Sequence, residues 1–324
     1  MDYCWFFGQI GFVLFGLAIA AVLAVLIYMY LTTVSRPDLH RYDEEKFYLD
    51  PSTKKRIPFC SVFDSPSLDL SIVVPAYNES ERLPAMLDEA LEYLEMKYGA
   101  DNSYEVIIVD DGSRDSTSET ALRYAMKYGC KKVKVLTLIK NRGKGGAIRR
   151  GVLSSSGRSI LFADGDGATT FEDYNKLDSV MNTCLTEGDK EVVVCGSRAH
   201  LEQEAIAERS MFRTFLMKGF HLCVWLLCVK GVKDTQCGFK LLSRPAAQRL
   251  FTSLHVERWA FDVELLYIAQ SLGMRIEEVA VRWQEIEGSK LVPFWSWLQM
   301  GRDLLFIRLR YTLGLWKLSK SKGD

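Results

Sequence analysis

The chain has no excess charge of either sign. Lys and Arg together number 41, and so do Asp and Glu, so overall charge carries no signature of nucleic-acid binding. Its eight cysteines form no CxxC pair, and the closest two, Cys223 and Cys228, sit in an apolar run without zinc-ligand spacing. Cysteines scattered in this way read as mostly reduced core residues of a protein facing the cytosol. The first strand pattern ends in Val74-Pro75-Ala76-Tyr77-Asn78-Glu79, with no glycine. A dinucleotide fold needs GxGxxG at that turn, so an NAD enzyme is excluded. The Gly-rich stretch Lys140-Asn141-Arg142-Gly143-Lys144-Gly145-Gly146-Ala147 lacks GxxxxGK[ST], which argues against a Walker-type NTPase.

Charge is also missing from Tyr3 to Ser35, a run of mostly Phe, Leu, Ala, Val and Ile. About 20 such residues span a bilayer, so residues 1–35 read as an N-terminal transmembrane anchor. The run is too long for a cleaved signal peptide and has no clear cleavage boundary. Asp2 precedes it, whereas Arg36, His40, Arg41 and Lys46 follow, which places the body of the protein in the cytoplasm. Asn78-Glu79-Ser80 is then a glycosylation sequon that never meets its transferase. Residues 36–69 read as a polar connector.

Beyond the connector, strand and helix patterns alternate. Leu70 to Pro75, Tyr104 to Asp110, Val133 to Ile139, Ser159 to Ala163 and Glu191 to Gly196 read as buried parallel strands. Helical patterns cover roughly Glu81–Tyr98, Ser116–Tyr128, Gly145–Ser154 and Phe171–Leu185. This alternation predicts a doubly wound α/β sheet, with ligands at the carboxyl ends of the strands.

The informative residues fall at those ends. The fourth strand delivers Asp164 and Asp166 into a Gly-punctuated turn, and residues two apart on a strand point the same way. Two converging carboxylates suit a hard divalent cation, Mg²⁺ or Mn²⁺, although a solvated Asp-Gly turn has the same pattern. Tyr77 offers a face for stacking a base, and Glu79 an acceptor for an imide or amide N–H. Asp110 and Asp111 end the second strand; Asp110 points into the cleft, while Asp111 or Ser113 has the alternative of capping the next helix. Lys144 opens a helix from its glycine loop, either against a diphosphate or as a solvated charge.

Arg198 follows a strand directly, and its planar fork matches phosphate oxygens. Arg209 and Arg213 share one helix face, as a phosphate site or a solvated basic patch. Gly219 to Val229 is nearly all apolar yet too short to span a bilayer, and reads as interfacial or as a core helix. From Pro293 to Trp316, Phe294, Trp295, Trp297 and Trp316 alternate with Arg302, Arg308 and Arg310. That mixture suits a membrane interface, so residues 291–324 read as an amphipathic interfacial segment.

Taken in order, the Val-Pro-Ala-Tyr-Asn-Glu, Asp-Asp-Gly-Ser, Asn-Arg-Gly-Lys-Gly-Gly-Ala and Asp-x-Asp stretches resemble the family 2 glycosyltransferases of the GT-A fold. Asp234-Thr235-Gln236-Cys237-Gly238-Phe239-Lys240 resembles an element of their polyprenyl-phosphate sugar transferases. Glu257-Arg258-Trp259-Ala260-Phe261-Asp262-Val263-Glu264 and Glu285-Ile286-Glu287-Gly288-Ser289-Lys290 narrow the likeness to the glucosyl-transferring members. The resemblance implies a GT-A domain over residues 70–290 and glucose transfer from UDP-glucose to dolichyl phosphate at the cytosolic face of the endoplasmic reticulum. The product would be a lumenal glucose donor for protein N-glycosylation.

Carried over, Pro75, Tyr77, Glu79, Asp110 and Asp111 hold uridine, with Lys144 beside the diphosphate. Asp164 and Asp166 bind Mg²⁺ or Mn²⁺. Some mannosyl relatives place a further polar metal neighbour where this chain has Ala168. Arg198 and Arg213, with Lys240 and Arg258, hold the acceptor phosphate. Asp234 and Asp262 orient groups around the cleft, and Asp262 stands where hydroxyl-directed relatives keep a base. Processive synthases of this fold carry Gln-x-x-Arg-Trp; here His255 occupies the Gln position, and one clear span is present.

Overall fold

The computed structural model describes residues 2–34, 37–99, 101, 103–201, 219, 221–286 and 293–318. Its centre is a seven-stranded sheet in the order β5-β4-β3-β6-β8-β7-β9. The strands are β3 (Leu68–Ala76), β4 (Tyr104–Asp110), β5 (Val133–Thr137), β6 (Gly157–Ala163), β7 (Val192–Ser197), β8 (Phe239–Ser243) and β9 (Arg275–Ala280). The five strands read from Val/Ile runs are all present and run the same way. The sheet is not wholly parallel, because β8 lies antiparallel to both β6 and β7.

Period-two alternation divides the core. Leu70, Ile72 and Val74 of β3 pack with Leu87 and Leu91 of α2 (Leu83–Tyr98), Ala121 of α3 (Thr117–Tyr128) and Leu177 of α5 (Tyr174–Thr186). Val73 faces the opposite layer, with Ile148 of α4 (Lys144–Leu153), Leu250 of α6 (Arg244–Ser253) and Leu265 of α7 (Phe261–Ser271). Helices therefore cover both faces, as buried strands require.

Three parts depart from the sequence reading. Residues 36–69 are more than a connector: β1 (Phe47–Leu49) and β2 (Arg56–Pro58) form an antiparallel hairpin whose first strand lies against β5. Three-residue strands are too short to show a period. The hairpin turn is stapled instead by Asp50, which accepts hydrogen bonds from Ser52 and Thr53. In α8 (Pro293–Thr312), Met300, Leu304 and Ile307 form a buried stripe while Arg302 and Arg308 are exposed. Trp316, expected at an interface, is buried: it stacks on His255 at 4.2 Å and donates to the Val34 carbonyl. Finally, the described cysteines are free but not uniformly core; Cys184, Cys195 and Cys237 are buried, Cys60 and Cys223 exposed.

The N-terminal helix α1 (Asp2–Thr32) has 31 residues, about 46 Å at 1.5 Å per residue. Within it Val13–Thr32 is long and apolar enough to cross a membrane. Phe15, Leu17, Leu23 and Leu31 stand exposed along it, whereas Met29 near its end is buried and Tyr28 meets Phe306 of α8. In the 219–229 segment, residues 221–227 are helical. Val224 and Val229 enter the core while Leu222, Trp225 and Leu226 face outward, so one segment combines the core and surface readings.

Candidate active site

The crossovers from β3 go to β4 and β5 on one side and then to β6 on the other, so the strand order reverses at β3. Open α/β sheets bind ligands at such a point. Here β3 stays paired with β4 as far as Ala76 and Asp110, but its pairing with β6 ends at Val73 and Phe162. Pro75, which has no N–H to offer, lies beyond the last β6 pair. The carboxyl ends of β3 and β6 thus frame a crevice.

One wall is the β3–α2 turn. Asn78 holds a left-handed backbone at φ 52°. It is locked there because its N–H donates to Ser113 Oγ and its Oδ1 accepts the Arg114 N–H. Tyr77 is half-buried beside it. The Glu79 carboxylate takes both Nε and Nη2 of Arg82, at 2.7 and 2.6 Å. Asp110 accepts the Ser113 N–H in the loop before α3 and the Ser118 hydroxyl in its first turn, which ties the strand end to that helix without capping it. Asp111 does something the sequence did not suggest: its two oxygens take the backbone N–H groups of Arg142 and Gly143, at 2.7 and 2.8 Å. Burial pushes its carboxyl up to about 7, against the pull of those two donors.

The floor is the end of β6. Asp164 pairs with the Lys144 ammonium at 2.7 Å, so the glycine loop and the Asp-x-Asp turn meet. Asp166, half-buried, has a single hydrogen bond among the described residues, from the Ala168 N–H at 3.0 Å. Burial, then the neighbouring Asp164, hold its carboxyl above the ordinary range. Gly238 explains its own identity: a Cβ there would lie 2.0 Å from Asp164 Oδ2. Its carbonyl accepts the Asp164 N–H at 3.1 Å.

The far wall combines β7, β8 and the segment after β9. Arg198 grips Asp234 with two parallel bonds, Nε to Oδ2 at 2.7 Å and Nη2 to Oδ1 at 2.9 Å, and lies over the Trp283 ring. Burial opposes ionisation of Asp234, but Arg198 outweighs it and holds the carboxyl low. Glu278 fixes the Asp234 N–H in turn. Trp283 arrives because residues 281–284 fold back over the Asp166 turn, with the Gln284 N–H on the Ala168 carbonyl. Neither Trp283 nor Glu278 had a motif to mark it; their only sequence signal was position just before and after a strand end.

Lys240 corrects the sequence reading. Expected at an acceptor phosphate, it is fully buried in β8, with its ammonium 2.6 Å from Asp262 and bonded to the Cys237 carbonyl. That geometry leaves no face for a phosphate oxygen. Asp262, in the first turn of α7, is buried with it. Removing one partner of a buried pair costs about 3–5 kcal/mol, whereas an apolar pair of similar volume is often neutral. Asp262→Asn should therefore lower the melting temperature by several degrees, and the apolar pair Asp262→Leu with Lys240→Met should recover most of it in thermal unfolding. A single variant as stable as the parent would refute the pairing. Arg258 is exposed and covers Gly143. Arg209, Arg213 and Lys290 lie outside the described residues.

The donor set fits a hard divalent cation: two carboxylates two residues apart end one strand, Asp164 paired with the Lys144 ammonium and Asp166 accepting a single backbone N–H among the described hydrogen bonds. Among the described residues no group of three acidic, His or Cys side chains gathers, so Asp164 and Asp166 would leave other positions for phosphate or water oxygens. Carboxylates at the switch point of an α/β sheet, with Lys144 and Arg198 near by, make a site for anionic, phosphate-bearing ligands. The family described as Glycosyl transferase family 2 matches residues 71–251. A dolichyl-phosphate β-glucosyltransferase of Mus musculus is 59% identical over 310 residues, covering 95% of this chain and 95% of its own. The Saccharomyces cerevisiae protein of the same name is 38% identical over 324 residues, covering 95% and 96%. Among solved structures, glucosyl-3-phosphoglycerate synthase from Mycobacterium tuberculosis, in complex with Mn²⁺, UDP-glucose and phosphoglyceric acid, aligns with a TM-score of 0.51. It is 19% identical, covers 79% of this chain and 82% of its own, and supports the GT-A fold. The chain belongs to the family 2 glycosyltransferases and, within them, to the dolichyl-phosphate β-glucosyltransferase family. It is an enzyme.

Proposed function

We propose that this enzyme transfers glucose from UDP-glucose to dolichyl phosphate, giving a β-linked dolichyl glucosyl phosphate and UDP. The observation that carries the reading is the Asp164–Asp166 pair at the switch point, with Lys144 on one side and the pinned Arg198 on the other. Two anionic substrates need cations on two sides. The names of the relatives supply the sugar and the lipid.

In this reading Tyr77 stacks on uracil, and Pro75, Glu79, Asp110 and Asp111 shape the uridine end. Asp164 and Asp166 hold Mg²⁺ or Mn²⁺, which when bound neutralises the diphosphate and eases departure of UDP. Lys144 leaves Asp164 for a diphosphate oxygen. A phosphate monoester with a second pKa of about 6 is largely dianionic at pH 7. Such an acceptor attacks C1 without a general base as the C1–O bond to UDP breaks, and attack opposite the leaving group inverts α to β. Arg198, Arg213 and Arg258 offset repulsion between the two anions and orient the acceptor, which is catalysis by positioning and electrostatics.

Membranes containing the full-length protein, given labelled UDP-glucose or GDP-mannose with dolichyl phosphate, should form a lipid product from UDP-glucose alone. Product from GDP-mannose would move the enzyme to the mannosyl branch of the same fold.

α1 anchors the chain in the endoplasmic reticulum membrane with its catalytic domain in the cytosol, where UDP-glucose is made. The product then serves as the lumenal glucose donor for protein N-glycosylation. Protease added to sealed microsomes should digest the catalytic domain. Full protection, or a glycan at Asn78, would place it in the lumen.

A further inference from the structure

The segment directly after the apolar helix makes charge contacts that a tether does not need. Three guanidinium groups almost wholly shut off from solvent converge on Asp38: Arg142 from the glycine loop, and Arg149 and Arg150 from α4. Arg142 Nη1 lies 2.8 Å from Asp38 Oδ2, and its Nη2 donates to the His40 carbonyl. Arg149 and Arg150 both donate to the Asp38 carbonyl, at 3.2 and 3.0 Å, and Arg150 stands 3.9 Å from the Asp38 carboxylate. Glu257 takes Arg149 at 2.9 Å, and Glu45 stands 3.9 Å from Arg142. Even so, Nε of all three arginines and Nη1 of Arg150 have no hydrogen-bond partner. Buried cations so sparsely matched depend on each acid they have.

The same loop is held from its other side, where Asp111 takes the Arg142 and Gly143 N–H groups. Two residues after Arg142, Lys144 reaches Asp164. Gly143 has no side chain with which to fix the loop, so the loop's side-chain anchors are Asn141, whose amide donates to the Asp111 carbonyl, and Arg142, which reaches the segment after α1. We propose that Asp38 is a positioning residue for the sugar-nucleotide donor: by pinning Arg142 it sets the loop, and with it Lys144, at the height where the ammonium meets a diphosphate. The inference rests on the donor reading given above.

A membrane-proximal residue would then act on the soluble substrate, and kinetics separate that from a structural role. In the full-length protein in lipid nanodiscs with Mn²⁺, Asp38→Asn should raise KM for UDP-glucose and weaken UDP binding by about tenfold, the effect of one charge-assisted hydrogen bond. The kcat and the KM for dolichyl phosphate should stay within about twofold. Asp38→Glu should recover most of the donor affinity. Asp43→Asn should match the parent, because Asp43 pairs only with the exposed Lys46 on the same segment among the described ion pairs. If Asp38→Asn folds poorly, Arg142→Lys must show the same weakening of UDP binding. Donor affinity unchanged in a destabilised variant overturns the proposal. So does a rise in acceptor KM alone, which would make the segment an orienting device for the membrane. A parent protein that neither binds UDP nor uses UDP-glucose defeats the donor reading itself, and this inference with it.

Discussion

Asp166→Asn should reduce glucosyl transfer by roughly a hundredfold or more while leaving the fold intact, the scale of losing one electrostatic stabiliser in an active site. Asp164 already has Lys144 as a counter-ion, whereas Asp166 meets only a backbone N–H among its described hydrogen bonds. Burial first, and the neighbouring Asp164 second, hold its carboxyl above the ordinary range. Neutralising Asp166 removes a hard anionic ligand that a divalent cation would need. It also relieves that repulsion, so stability should hold or rise slightly. Labelled sugar transfer, circular dichroism and UDP binding with and without Mn²⁺ check the three parts. Near-normal turnover, or a parent enzyme indifferent to chelator, would sink the assignment.

Gly238→Ala should lower transfer by about tenfold to a hundredfold, through a residue that touches neither substrate in the proposed reaction. The added Cβ would lie 2.0 Å from Oδ2 and 2.3 Å from Cγ of Asp164, closer than any real contact. The clash is with a short side chain and not with backbone, so the sheet can stand while Asp164 swings away. It would then leave Lys144 and its place beside Asp166. Gly301→Ala, where nothing lies within 4 Å of the new methyl, is the control and should be silent. The readouts are apparent Mn²⁺ affinity and kcat/KM for UDP-glucose, with melting temperature as a check on folding. Full activity in Gly238→Ala would show that Asp164 need not stay where it is.

Both effects begin in stretches that are legible in the sequence. The Asp-x-Asp turn, the glycine loop and the strand ends at Pro75 and Asp110 follow from residue type and a period of two. Those signals act over a few neighbours, which is why β3 to β7 and helices α2 to α5 lie within a few residues of where the sequence pattern puts them. What lay between distant segments was not legible. Lys240 reads as a phosphate ligand in its motif, yet β8 runs antiparallel between β6 and β7 and turns the ammonium under the sheet to Asp262. Trp316 reads as an interfacial aromatic, yet it is stacked on His255.

By itself, the sequence determined the apolar helix, the alternating α/β core and the carboxylates at the strand ends, because each depends on local pattern and intrinsic residue chemistry. The tertiary structure alone decided which charges pair: Lys144 with Asp164, Arg198 with Asp234, Lys240 with Asp262, and Asp38 with Arg142. Those partners are 20, 36, 22 and 104 residues apart. A buried charge is costly without a partner, and only the folded path of the chain settles which opposite charge is near enough.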